Sequence, residues 1–166
     1  MLDIAMFSRE YAVHKLTESD VEAIYELCQS NTLFYQYCEA ELTKEQILRD
    51  LHVTPPGVSE DRKYYVGFYR GNELIAVMDL IDGFPRKDIG FIGFFMVSTS
   101  VQGNGVGSGI IAEVADYLKG TGKKSIQLGI DKGNPQSNSF WKKNGFQTVK
   151  EVDRDGGVIL LSEKTL

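Results

Sequence analysis

At 166 residues, 42% hydrophobic and 11% aromatic, the chain has the length of one globular domain with a sizeable core, which excludes a two-domain enzyme. Eighteen lysines and arginines against 23 aspartates and glutamates give a net charge of −5, opposite to the basic footprint that nucleic-acid binding leaves. The longest apolar run, Ile89 to Val97, is far short of the roughly 18 residues that a membrane-spanning helix needs.

Residues 1–10 place Asp3 and Glu10 around a short apolar stretch and lack the basic-then-apolar plan of a signal peptide, so a cytoplasmic chain is expected. Cys28 and Cys38 are the only cysteines and His14 and His52 the only histidines. Two reduced thiols and no metal site are the expectation, since neither CxxC nor HExxH is present.

In chain order, residues 11–15 read as a short strand. Thr17 with Asp20 makes a capping-box spacing ahead of Val21, Ile24, Tyr25 and Cys28 at helical spacing. Thr43 with Gln46 repeats that signal before Ile47, Leu48 and Leu51. Between the two lies an aromatic cluster, Phe34, Tyr35 and Tyr37, on a segment with no element signal. Residues 64–70 and 74–81 are β-rich runs separated by Gly71 and Asn72, a hairpin pattern. Residues 88–97 form a third strand, continuously apolar and therefore expected to be buried on both faces. A helix over 105–119 carries Ile110, Ile111, Val114, Ala115 and Leu118 and is stopped by Gly120. Residues 125–130 are another strand. Asn134-Pro135 starts a helix and Gly145 stops it, and residues 146–152 and 158–162 make a last hairpin around Asp155, Gly156 and Gly157. This order describes a single α+β domain with a mixed, mostly antiparallel sheet flanked by helices.

The informative segment runs from Val101 to Gly109, with glycines at 103, 105, 107 and 109. Alternating glycines let backbone N–H groups approach an anion at the positive end of a helix, and a plain turn needs fewer of them. The Walker A pattern is absent, because no glycine is followed by Lys and then Ser or Thr. A nicotinamide-dinucleotide site is a minor alternative: residues 107–112 fit GxGxxA and Asp131 lies about 20 residues on. Against it, residues 98–102 separate strand from loop, and only about one βαβ unit is available.

The same loop, Gln102-Gly103-Asn104-Gly105-Val106-Gly107, resembles the signature of the GNAT N-acetyltransferase superfamily, Q/R-x-x-G-x-G/A, with a strand ending five residues before it at Val97. A second GNAT-like pattern follows, from Asn134 through Ser137 and the aromatic pair Phe140-Trp141 to Gly145-Phe146. The two patterns, in order and about 27 residues apart, resemble this family over residues 64–162; the first 60 residues match only in having two helices. The resemblance implies a single domain, residues 1–166, with acceptor-side helices over about 17–53 and an acetyl-CoA-binding core over about 64–162. It implies acetyl-CoA as cosubstrate, with Met96 and Val97 beside the pantetheine arm, residues 103–108 at the pyrophosphate, and Asn134 on the pantetheine. Gln102, Gly103, Asn104, Gly105, Val106, Gly107, Ser108, Ser137 and Lys143 complete the cofactor-binding set.

The implied reaction is direct attack of a primary amine, on a small molecule or peptide, on the acetyl carbonyl. Where the family often places a tyrosine acid, this chain has Trp141, whose indole N–H does not ionise usefully. No residue of the apolar strand supplies a base; Asp79, Glu39 and Glu41 are the nearest candidates by topology, and the catalytic residues stay unassigned. Phe34, Tyr35, Tyr37 and Phe84 are candidate walls of an acceptor pocket. A non-catalytic acyl-CoA sensor is the alternative from another class. Residues 101–150 carry seven lysines (119, 123, 124, 132, 142, 143 and 150) against three acidic residues, leaving −9 for the remainder. That asymmetry suits a phosphorylated cofactor on one part and a cationic amine on the other. The edge of the last hairpin is a candidate homodimer contact.

Overall fold

The computed structural model describes residues 1–38 and 40–166. Seven strands form one sheet: β1 (Ala12–Lys15), β2 (Lys63–Arg70), β3 (Glu73–Asp82), β4 (Ile89–Val97), β5 (Ser125–Asp131), β6 (Gln147–Arg154) and β7 (Gly157–Thr165). Their spatial order is β1-β2-β3-β4-β5-β7-β6, and each neighbouring pair is antiparallel except β4 with β5. The helices are α1 (Val21–Gln29), α2 (Thr32–Tyr35), α3 (Lys44–Asp50), α4 (Val106–Gly120) and α5 (Pro135–Lys143). The α+β class and the mixed, mostly antiparallel sheet expected from the pattern are the observed ones. Among the described residues, no helix is long and apolar enough to cross a membrane.

The sheet lies between two helical layers because each helix has one apolar stripe to bury. On one face Ile110, Ile111, Val114 and Leu118 of α4 pack on Val66, Phe68, Met78, Leu80, Ile92, Ile126 and Leu128, with Trp141 and Phe146 closing the end. On the other, Ile24, Leu27 and Cys28 of α1 and Ile47 of α3 pack on Tyr65, Val77 and Met96. Each fully buried aliphatic or aromatic side chain in these layers stabilises the fold by about 1.5–3 kcal/mol.

Local signals explain the element ends. Gly71, at φ +59, takes the first central position of the β2–β3 turn and Arg70 pairs with Glu73 across it, as a two-residue hairpin demands. The Thr43 hydroxyl accepts from Gln46 N–H at 3.0 Å and starts α3. Asp20 accepts from Thr17 N–H at 2.7 Å, but the chain first makes a 3-10 turn over Glu18–Asp20 before α1 begins.

Two expectations are corrected, and one element was not foreseen. β4 is not buried on both faces: Gly93 is exposed and Phe94 and Phe95 are half-buried, because the outer half of this strand borders a cavity rather than a neighbouring strand. The doubly buried strands are β2 and β3. Gly120 does not stop α4; the helix includes it, and the left-handed residue that ends the turn is Gly122 at φ +92. A 3-10 turn at Ile4–Phe7, which buries Phe7, was not anticipated, although Asp3 caps it by accepting from Ala5 N–H at 3.1 Å.

Beyond α3, His52 joins two separate segments: Nδ1 lies 2.5 Å from Glu60 Oε1 and Nε2 3.3 Å from Glu18 Oε1. The Glu60 carboxylate foremost, with Glu18 adding to it, holds the imidazole above its ordinary pKa. A raised folded-state pKa means the contribution is fully present below the unfolded value of about 6.5 and is lost as pH rises through the folded value. The melting-temperature advantage of the native chain over His52→Gln is therefore expected to be largest near pH 5.5 and to vanish near pH 9. Thermal scans across that range test it, and a gap independent of pH would contradict it.

Candidate active site

The site begins with a parallel pair that ends early. β4 and β5 pair only from Ile89↔Ser125 to Ile92↔Leu128. Beyond that, β4 keeps β3 (Asp79↔Phe94 to Ala76↔Val97) and β5 keeps β7 (Gly129↔Leu161 to Asp131↔Ile159). Only the two facing edges are left without a ladder partner. The divergence coincides with a bulge: Leu80 opposes Ile92 and Asp79 opposes Phe94, so Gly93 is the extra residue, and a bulge bends its strand. A side chain does not fit at Gly93, where an added Cβ would stand 2.8 Å from Asp79 Oδ2. The gap opens into a cavity of about 760 Å³ whose wall includes residues 92–97 of β4 and 128–131 of β5.

The glycine loop closes one end of that cavity. Gly103 and Gly105 stand at φ +79 and +78, a left-handed conformation that other residues adopt at a cost, and Gly105 is the N-cap of α4. The first i→i−4 bond of the helix runs from Gly109 N–H to the Gly105 carbonyl at 2.9 Å. The amides of Val106, Gly107 and Ser108 therefore have no intrahelical acceptor, and all three residues line the cavity at the positive end of a 15-residue helix. Gln102 secures the loop from behind. Its Nε2 donates to the Val97 carbonyl at 2.8 Å and to Asn31 Oδ1 at 2.6 Å, and buried Asn31 in turn donates to Leu27 O and Val97 O.

The second pattern forms α5. Asn134, 2% exposed, is its N-cap: Oδ1 accepts from Ser137 N–H at 3.1 Å, which leaves the Nδ2 donors for a ligand at the cavity wall. Trp141 anchors the helix to the sheet, its ring 4.9 Å from Phe140, 5.1 Å from Phe146 and 5.9 Å from Phe95. Lys143 lies in the last turn, at the wall.

The other end of the cavity is lined by Cys28, Phe34, Tyr35, Tyr37, Glu41, Gln46, Asp50 and Tyr65. Burial above all pushes the Tyr35 and Tyr65 phenols up and the Cys28 thiol up to about 11, so all three are neutral near pH 7. Asp79 is set behind Gly93 and is not part of the wall. It pairs with Lys63 at 2.8 Å, with side chains 14% and 2% exposed. Burial raises the Asp79 carboxyl above its ordinary value and the Lys63 ammonium pulls it partly back. Its Oδ1 is buried without a partner.

Of the twelve cofactor-binding candidates named from the sequence, eleven line this one cavity; Asn104 does not. Phe84 is displaced from the expected pocket wall. It stacks edge-on to Phe91 at 5.5 Å, in the β3–β4 connection at the far end of β4. Glu39 lies outside the described residues. The lysine-rich segment does not converge on the loop: Lys123 pairs with Asp82, Lys132 with Glu151, and Lys119 sits at the opposite end of α4. Among those seven lysines only Lys143 reaches the wall, joined by Arg154 from the tip of the β6–β7 hairpin, a residue that no sequence signal marked. Asp50 and Gln46 were also missed; their i,i+4 spacing on α3, with Gln46 Nε2 donating to Asp50 Oδ1 at 2.7 Å, was the available clue. Among the described residues, no group of three or more His, Cys, Asp or Glu side chains is placed to hold a metal ion.

This architecture is that of acetyltransferases of known structure. An acetyltransferase from Thermus thermophilus superposes with a TM-score of 0.74 at 20% identity, covering 94% of this chain and 97% of that one. The PaiA N-acetyltransferase from Thermoplasma acidophilum, in complex with coenzyme A, gives 0.68 at 18% identity over 94% and 99%. The ribosomal-protein-S18-alanine N-acetyltransferase from Escherichia coli gives 0.67 at 13% identity over 93% of each chain. No curated protein matches the sequence. The model of the acetyltransferase (GNAT) family matches residues 21–146, and the chain belongs to that family.

Of the four loop glycines, Gly103 and Gly105 are left-handed, Gly107 is hemmed in by Phe140 and Val97 at 3.2 Å from an added Cβ, and Gly109 is under neither constraint. Gly109 is helical, has ordinary φ and nothing within 4 Å of an added Cβ, so Gly109→Ala is expected to stabilise the chain by about 0.5–1 kcal/mol and to leave coenzyme A binding intact. Gly105→Ala, at φ +78, is expected to weaken that binding. Melting curves with and without coenzyme A read both variants; tight binding by Gly105→Ala together with loss by Gly109→Ala would contradict the geometry.

Proposed function

We propose that this chain transfers an acetyl group from acetyl-CoA to a primary amine of a small molecule or peptide by direct attack. The observation that carries the proposal is the opening of β4 from β5 at Ile92 and Leu128, directly beside the free amides of the α4 N terminus. An extended pantetheine arm needs unpaired strand edge, and a pyrophosphate needs clustered amides at a positive helix end. Both are present in one cavity. Met96 and Val97 would border the arm, residues 103–108 would hold the pyrophosphate, and Gln102, Asn134, Ser137 and Lys143 would complete the cofactor side. Residues 64–162 form the cofactor core in this reading and residues 17–53 shape the acceptor side.

Bound acetyl-CoA supplies an acetyl thioester; transfer to an amine nitrogen forms an amide and releases the CoA thiol. A thiol of pKa about 8.5 leaves as an acceptable thiolate near pH 7, so the absence of a tyrosine at Trp141 is tolerable. A protonated alkylamine of pKa about 10.4 costs more, about 5 kcal/mol of deprotonation near pH 7. Backbone N–H groups on the open edge of β4 are the donors available to polarise the acetyl oxygen. Cys28 and Cys38 are free thiols, which supports a reducing, cytoplasmic setting. The exposed edge strand β6 is where a homodimer would form.

Trp141, at the position of the usual acid, favours the second reading, a non-catalytic acyl-CoA sensor. One experiment separates the readings. At saturation, acetyl-CoA should raise the melting temperature by roughly 5–10 °C while NAD leaves it unchanged, and a panel of primary amines incubated with acetyl-CoA should yield acetylated product with equimolar CoA thiol. Binding without product from any amine would establish the sensor, and a shift with NAD alone would overturn both readings.

A further inference from the structure

The two ends of the cavity differ in side-chain charge. At the end formed by the α4 N terminus, α5 and the β6–β7 hairpin, Lys143 and Arg154 are balanced by Asp131 and Asp155, whereas the wall contributed by residues 28–65 holds, among the described residues, two carboxylates, Glu41 and Asp50, and no lysine or arginine. Much of that second wall is aromatic. Phe34 meets Tyr35 edge-on at 5.1 Å and Phe94 edge-on at 6.1 Å, and Tyr65 completes the surface.

The charges of the described residues at this end can be accounted for one by one. Glu41 is exposed at the rim, where water screens it. Asp79, behind Gly93, is matched by Lys63 at 2.8 Å and the pair adds no net charge. Asp50 is half-buried, and its Oδ1 takes a neutral amide donor from Gln46 at 2.7 Å; among the described residues it has no ion-pair partner. Among the described residues, Asp50 is thus the half-buried carboxylate of this recess that no ion pair compensates. A neutral occupant would strip water from Asp50 and replace it with nothing. A polycation would bring a second ammonium to a recess that holds no second half-buried carboxylate among the described residues, and a peptide would bring backbone polar groups to a wall whose Asn31 and Gln46 amides are already engaged by Gln102 and by Asp50 and Arg49.

Building on the acetyl-transfer reading, we infer that the acceptor is a small monocationic amine on an aromatic or bulky apolar body, its ammonium recognised by Asp50 on entry and losing one proton to solvent before the neutral nitrogen attacks, its body packed on Phe34, Tyr35 and Phe94. The ammonium gains both the carboxylate and the adjacent ring faces. Asp50 is a specificity-determining residue in this account.

The test compares kcat/KM for 2-phenylethylamine, spermidine and an alanine-initiated peptide under saturating acetyl-CoA. The expected result is a preference of at least about tenfold for 2-phenylethylamine. Asp50→Asn should raise its KM about tenfold or more, Asp50→Glu should restore part of the loss, and the thermal shift with acetyl-CoA should be unchanged in both. If Asp50→Asn does not fold, Phe34→Ala on the short α2 reads the same recess: KM should rise more for 2-phenylethylamine than for n-butylamine. Preference for spermidine or the peptide, an unchanged KM in Asp50→Asn, or equal changes for the two amines in Phe34→Ala would overturn the inference. Absence of any thermal shift with acetyl-CoA would instead overturn acetyl transfer itself.

Discussion

Four residue pairs between β4 and β5, and no more, determine how this molecule is built. Parallel strands that continued side by side would satisfy each other's backbone groups along their length, and the sheet would be closed. Here the ladder stops at Ile92 and Leu128, and the edges beyond it must be satisfied by something other than this sheet. The bulge at Gly93, the apolar packing of Trp141 against Phe95, and the Asn31-Gln102 clamp on the Val97 carbonyl all serve to hold that opening at a fixed place. The opening then presents backbone, rather than side chains, as its main binding chemistry. That explains how an apolar strand with no titratable residue can border a reactive site.

The two sides of the opening are charged by different means. Beside the α4 N terminus, positive potential comes from helix geometry, the unpaired amides of α4, because Lys143 and Arg154 are offset by Asp131 and Asp155 on the same wall. At the wall built from α3 and the loop before it, negative charge comes from side chains, and the Lys63–Asp79 pair keeps the buried floor near neutrality. Removing either member of that pair would leave a buried charge uncompensated, at a cost of about 3–5 kcal/mol. The pair thus couples stability of the sheet to the electrostatics of the recess in front of it.

Much of this was legible in the sequence, for physical reasons that differ from element to element. The helices α1, α3, α4 and α5 were readable because caps and period-3.6 stripes are local, and the two hairpins because their glycines sit where the turns require them. The cavity wall from 102 to 108 was readable because four alternating glycines exceed what a turn needs, although only Gly103 and Gly105 prove to be left-handed. What was not legible is what depends on distant partners. An apolar β4 looks the same in sequence whether its second face meets a strand or a cavity. The lysines of 101–150 look like a phosphate site until α4 carries Lys119 to the far end and acids claim Lys123 and Lys132. Asp50 and Arg154 are ordinary surface residues until tertiary folding brings them to the border of the cavity.

The most direct test of the central claim is to map backbone amide shifts in ¹⁵N-labelled protein as acetyl-CoA is added. Residues 94–97 on the open edge of β4 and residues 103–108 at the α4 N terminus should move together and saturate at one ligand per chain, while β1 and the far end of β4 near Ile89 stay still. Saturable binding that leaves both segments unmoved, with shifts gathered elsewhere on the sheet, would contradict the account.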